Sequence, residues 1–176
     1  MSTKVVTGKA RLSYEHLFEA HGFEGQTPKY SAMLLIPKED EKTIEKLRNA
    51  EEVALEQGKS SKFNGKVPKA WKSIIRDGDE VADEYPEREG HWFMTVSSVR
   101  PPIVVDRNKE PVLDRSEVYS GCYVRASLNA FPYSVSGNKG VSFGLNHVQK
   151  LAEGEPFGSV DSVEDVFDDL DDDDLI

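Results

Sequence analysis

The chain has 176 residues, with 32 Asp and Glu against 22 Lys and Arg, a net charge of −10 and a single cysteine, Cys122. That length suits one ordinary domain plus extensions. One cysteine excludes an intramolecular disulfide and a cysteine-rich zinc cage; no apolar run approaches the roughly 20 residues of a membrane span, and MSTKVVTGKARLSY has no apolar stretch of the signal-peptide kind, so a cytoplasmic protein is expected.

Residues 4–14 read as a strand and residues 30–36 (YSAMLLI) as a second. The one helical pattern follows at 39–57. Ile44, Leu47, Ala50, Ala54 and Leu55 form its apolar stripe, Glu41, Glu45, Glu52 and Glu56 lie opposite, and Gly58 reads as the stop. Residues 59–76 (KSSKFNGKVPKAWKSIIR) then carry Lys59, Lys62, Lys66, Lys69, Lys72 and Arg76 without an acid, a local charge of +6 with Phe63 and Trp71 inside it. Such a run is often only a solvated surface. Cations interleaved with flat rings are also what a groove for single-stranded nucleic acid requires, the cations following phosphates and the rings stacking on bases. The acidic run Asp77, Asp79, Glu80, Asp83 and Glu84 offers oxygens to a hard cation, but DGDEVADE lacks the spacing of an EF-hand loop. A turn closing the basic segment explains Asp77, Gly78 and Asp79 more simply.

Residues 91–98 (HWFMTVSS), with Trp92, Met94 and Val96 on one face, and 103–106 read as further strands. Residues 121–133 (GCYVRASLNAFPY) alternate with period two: Cys122, Val124, Ala126, Leu128 and Ala130 define a core face, while Tyr123, Arg125, Ser127, Asn129, Phe131 and Tyr133 define the other. Three aromatics and an arginine on that second face resemble a stacking platform, unless a further layer of structure covers them. After the turn SGNKG comes a last strand, 140–148, with Val141, Phe143 and Leu145 on one face. The whole reads as a mostly β protein, an OB-fold-like antiparallel five-stranded barrel with one appended helix. The expected DNA-binding set is Lys59, Lys62, Lys66, Lys69, Trp71, Lys72, Arg76, Arg100, Tyr123, Arg125, Phe131 and Tyr133; arginines enter because a guanidinium both stacks and binds phosphate bidentately.

Residues 151–176 hold 11 of the acids and no Lys or Arg, which leaves 21 acidic and 22 basic residues before them, a net of +1. The expected division is a DNA-binding domain at 1–150 and a flexible acidic tail at 151–176, with the Gly-, Pro- and Ser-bearing stretch 152–165 as tether. Beyond it, Asp168, Asp169, Asp171, Asp172, Asp173 and Asp174 are punctuated by Phe167, Leu170, Leu175 and Ile176. The carboxylate spacing resembles the charges of a single strand, so the tail reads as a tethered competitor for the basic groove, whose apolar residues dock on a partner protein once DNA displaces them. A plain solubilising tail has no use for four bulky apolar residues.

Catalytic patterns are sparse. His16 and His21 are five apart with no HExxH, His91 and His147 lack acidic or cysteine neighbours at ligand spacing, and there is no glycine-rich phosphate loop or GxSxG elbow. The chain reads as a non-enzyme without cofactor or metal. A metal-dependent nuclease, and an interaction protein that binds a basic partner by its tail and contacts no DNA, are the alternatives.

The run IIRDGDE, GHWFMTVSS, PPIVVD and EVYSGCYVRASLNAFPYSVSGNKGVSFGLNHVQKLAEGEPFG resembles the phage-encoded single-stranded DNA-binding proteins related to the replication protein of T-odd podophages. The resemblance spans most of residues 30–158 and is most specific over 117–158. It implies an OB-fold that coats single strands in phage replication, recombination and repair inside the host cytoplasm. It further implies an acidic tail that recruits replication proteins, for which a polymerase or primase-helicase is expected; a homodimer is among the expected assemblies, and no membrane contact is expected. In the better-known relatives the tail closes on an aromatic residue; here it closes on Leu175 and Ile176, with Phe167 nine residues before the end.

Overall fold

The alternation in the GCYVRASLNAFPY stretch encloses the core: Cys122, Val124, Ala126, Leu128 and Ala130 are all buried. The computed structural model describes residues 3–22, 27–135 and 137–157. Its elements are β1 (Lys4–Val6), β2 (Ala10–His21), β3 (Lys29–Pro37), α1 (Glu41–Ser61), β4 (Arg76–Asp77), β5 (His91–Ser98), β6 (Ile103–Val105), β7 (Tyr123–Val135) and β8 (Asn138–Ala152). Strands pair in the order β1-β7-β2-β3-β5-β8-β6, and a long antiparallel β7–β8 ladder closes β2, β3, β5, β8 and β7 into a five-stranded ring. All ring contacts are antiparallel except β5 with β8, which meet in parallel through Ser97 and Gly144. This is the expected OB-fold barrel with one helix. The inward residues of the ring, among them Leu12, Leu34, Met94, Val96, Leu128, Val141, Phe143 and Leu145, make one cluster.

Helix α1 packs against β7, β1 and β8 through the fully buried Leu47, Ala50 and Ala54. Asp40 caps it, accepting from the Thr43 N–H at 3.2 Å, an interaction of the kind that contributes about 1 kcal/mol. Gly58 does not stop the helix, which continues to Ser61. The residue serves packing instead: a Cβ there would stand 2.3 Å from the Phe63 ring and 2.7 Å from Pro132 on β7, so glycine lets both touch the helix.

Four other expectations are corrected. Residues 4–14 are two strands, because the chain turns at Thr7 and Gly8, where the buried Thr7 hydroxyl accepts from the Ala126 N–H. Phe63, placed among the stacking aromatics by its basic neighbours, is buried in the core. Trp92 does not join Met94 and Val96 in full burial; it sits at the rim with the Lys38 ammonium 4.9 Å and the Arg48 guanidinium 5.7 Å from its ring. The stretch 152–157, read as tether, packs on the barrel. Ala152 ends β8, Tyr119 donates to the Gly154 carbonyl, the Phe157 N–H donates to the Ser120 carbonyl, and Arg11 bonds the Glu155 carbonyl while its guanidinium lies 4.1 Å from the Phe157 ring. The tail residues Phe167 to Ile176 lie outside the described residues.

Candidate nucleic-acid interface

A groove of about 1020 Å³ opens where the β7–β8 hairpin faces the segment between α1 and β4. One lip is Phe131, Tyr133 and Lys139, the other Trp71, Lys72 and Ile74, and Lys29 and Ser97 also line the groove. Three aromatic rings and three ammonium groups therefore share one concavity, and among the described residues no Asp or Glu lines it. Among the described residues Lys29, Lys72 and Lys139 have no carboxylate partner. Unpaired cations beside partly exposed rings can take phosphates and bases together.

Each lip has a local cause. Phe131 and Tyr133 fall on the outward phase of β7, and Phe131 is 41% exposed. The second lip is fastened from behind: Ser73 donates to the Glu51 carboxylate, which is 2% exposed and also accepts from Arg48 at 3.1 Å, and the Ser73 oxygen accepts from the Ile75 N–H at 3.0 Å. A buried carboxylate on α1 thus fixes the residue that follows Trp71 and Lys72.

Of the residues expected from sequence, Trp71, Lys72, Phe131 and Tyr133 meet in this groove. Lys62, Lys66 and Lys69 are exposed but do not line it, and Lys59 pairs with Glu56 at 3.0 Å. Arg76 is exposed on β4, 5.2 Å from the Phe93 ring, and Arg100 is exposed just beyond β5. Tyr123 stands at the other end of β7, ten residues and roughly 33 Å from Tyr133. There its ring lies 4.4 Å from the Lys9 ammonium, beside a separate cavity lined by Lys9, Arg11 and His91. Arg125 bonds Gln149 across the β7–β8 ladder. Sequence reading missed Lys29 and Lys139. Their signal was positional, since both flank the loops that an OB-fold turns toward its ligand.

The acidic run after β4 does not converge on a cation site. Asp77 and Asp79 each lie 2.6 Å from the Lys38 ammonium, whose hydrogen bonds hold both carboxyls below their ordinary range. Among the described residues no group of three or more His, Cys, Asp or Glu is placed to hold a metal ion, and no helix is long and apolar enough to cross a membrane.

A five-stranded barrel of this strand order, bearing an aromatic and cationic groove between its hairpin and its helix-to-strand connection, is an OB-fold of the oligonucleotide-binding type. The family model described as Enterobacter phage Enc34, ssDNA-binding protein, matches residues 3–176, and the chain belongs to that family. A curated relative, putative protein p50 of Acyrthosiphon pisum secondary endosymbiont phage 1, is 35% identical over 180 residues, covering 95% of this chain and 94% of its own. The single-stranded DNA-binding protein of bacteriophage Enc34, solved in complex with ssDNA, superposes with a TM-score of 0.78 at 29% identity, over 89% of this chain and 90% of that one. The gp2.5 single-stranded DNA-binding protein of bacteriophage T7 shares the fold, with a TM-score of 0.65 at 12% identity over 91% and 92% of the two chains.

Proposed function

We propose that this chain is a non-enzymatic protein that binds single-stranded DNA without sequence preference, and that it coats and protects single strands during phage DNA replication, recombination and repair in the host cytoplasm. One observation carries the reading: Trp71, Phe131 and Tyr133 share a groove with Lys29, Lys72 and Lys139, and among the described residues no carboxylate lines it. Rings take any base by its face and ammonium groups take the phosphates, so affinity comes without base-edge readout. The Enc34 relative, solved with ssDNA, supports it. In this reading the domain extends to Phe157, and the acidic residues 158–176 form the tail that competes for the groove and recruits replication proteins.

Fluorescent oligo(dT) titrated with the full chain at low and high salt, with and without magnesium, tests the proposal. Tight, salt-sensitive binding with the oligonucleotide left intact is expected. Absence of binding overturns it, and cleavage that requires magnesium would make the protein a nuclease.

A further inference from the structure

Outside the groove, the outer face of β3 and β5 carries a second cluster of rings and guanidinium groups. Leu35 and Phe93 are register partners and both are buried, yet neither belongs to the barrel core, so they face outward. What covers Phe93 is cationic: the Arg88 guanidinium lies 4.6 Å from its ring and the Arg76 guanidinium 5.2 Å. Arg88 is only 7% exposed and is also held 3.7 Å from the Tyr85 ring and 6.0 Å from the Tyr14 ring. Tyr14 is 55% exposed and has φ 45°, a backbone region that a bulky residue seldom adopts without a compensating cause.

The charges around the cluster sharpen the point. Residues 77–89 contain seven acids, yet among the described residues neither Arg76 nor Arg88 forms a salt bridge. Asp77 and Asp79 are turned to Lys38 instead. Two guanidinium groups share one ring, and among the described residues they lack an anion although they flank an acidic segment. The Arg88 guanidinium is pre-oriented by the Tyr85 and Phe93 rings beside it, and a planar fork held this way suits a phosphate.

The cluster also lies in line with the groove. Ser97, in the groove, and Phe93 are on the same face of β5, roughly 13 Å apart along the strand. The register pairs between them on that face, Ser31 with Ser97 and Met33 with Thr95, carry no charge to obstruct a phosphate backbone. We propose that Arg76, Arg88 and Tyr14 form a second nucleotide site, where a single strand leaving the groove over Ser97 and Thr95 sets a phosphate on the two guanidinium groups and a base on the Tyr14 ring. The proposal rests on the single-strand reading of the groove.

A ladder of oligo(dT) from about 4 to about 16 nucleotides, the range of OB-fold site sizes, separates the two sites. Arg76→Gln and Tyr14→Asn alter exposed side chains, and Asn tolerates a positive φ. Their melting temperatures are expected to match the parent. Each should leave the affinity for the shortest bound oligonucleotides unchanged and lower that for the longest about tenfold, within what one stacked base contributes. Arg76→Gln should also reduce the salt slope on long oligonucleotides by about 0.7. Equal losses at every length, or no loss at any, overturn the second site. Trp71→Ala is the control for the groove: if it leaves the shortest oligonucleotides bound as before, the groove reading fails instead.

Discussion

Tyr133 on β7 and Gly140 on β8 are register partners, and a Cβ on Gly140 would stand 3.2 Å from the Tyr133 hydroxyl oxygen. The glycine leaves the space that the ring occupies on the groove lip. Replacing Tyr133, Phe131 or Trp71 by Ala should weaken oligo(dT) binding by about 1–3 kcal/mol each, with little dependence on base sequence. Gly140→Val should reproduce part of the Tyr133→Ala loss by displacing the ring. Fluorescence anisotropy beside thermal melts decides the matter: a lower melting temperature with unchanged affinity would assign these rings to packing.

Charge in the groove has its own signature. Changing Lys29, Lys72 and Lys139 together to Ala should flatten the slope of log affinity against log salt by about two units, from about 0.7 for each phosphate contact on a single strand. Lys62, Lys66 and Lys69 changed together should leave that slope alone, because they lie outside the groove. The opposite result would place the DNA on the α1 side of the basic segment.

Ser73 connects the buried Glu51 to the lip that carries Trp71. Ser73→Ala deprives a buried carboxylate of one donor and should cost about 1–3 kcal/mol of stability. Binding of oligo(dT) should weaken as well, with the salt slope unchanged, since no cation is lost. Denaturant melts and titrations at two salt concentrations read both effects.

The pair of carboxylates on Lys38 makes an acid-side prediction. Hydrogen bonds from Lys38 lower both Asp77 and Asp79 from the ordinary 3.8, so their contribution is present above that value and is lost as pH falls through the depressed folded one. Lys38 is itself raised above 10.5 by the same bonds, so its contribution holds below that value and fades only in strong base. Lys38→Met should lower the melting temperature at pH 7 and lose less than the parent between about pH 4 and pH 2. Parallel acid-limb losses in the two proteins would show that the pair is stability-neutral.

Deleting residues 165–176 removes seven acids and the apolar Phe167, Leu170, Leu175 and Ile176. Binding to oligo(dT) should tighten, most of all at low salt, where attraction between tail and groove is least screened. Changing only those four apolar residues to Ser should leave DNA affinity near that of the parent while recruitment of replication proteins fails. If the truncated chain binds no more tightly at low salt, the tail does not compete.

The barrel was legible because a strand buries every second residue: Cys122 through Ala130 declared the core face of β7, and Tyr30 through Ile36 lie within β3. Site membership was less so. Tyr123 and Tyr133 share a face and a period, yet they stand at opposite ends of one long strand, and only the barrel's closure determines which end meets Trp71. Phe63 and Trp71 have equally basic neighbours, and their fates diverge because Gly58 opens a hole for one ring and not the other. Lys29 and Lys139 are isolated cations in the sequence that come to line one groove with Trp71 only once the barrel has closed.

The hoop of strands is thin where β5 meets β8. Among the described residues β5 and β8 share a single paired position, Ser97 with Gly144, whereas β7 and β8 are paired along nearly their whole length. Ser97 lies in the groove, with Ser142 close by on the β8 side, so a strand of DNA lying there would bridge the joint as a brace. Occupancy and mechanical integrity of the barrel are then one quantity seen twice: whatever fills the groove also resists the splaying of β5 from β8, and amide exchange around Ser97 and Gly144 should slow in proportion to saturation.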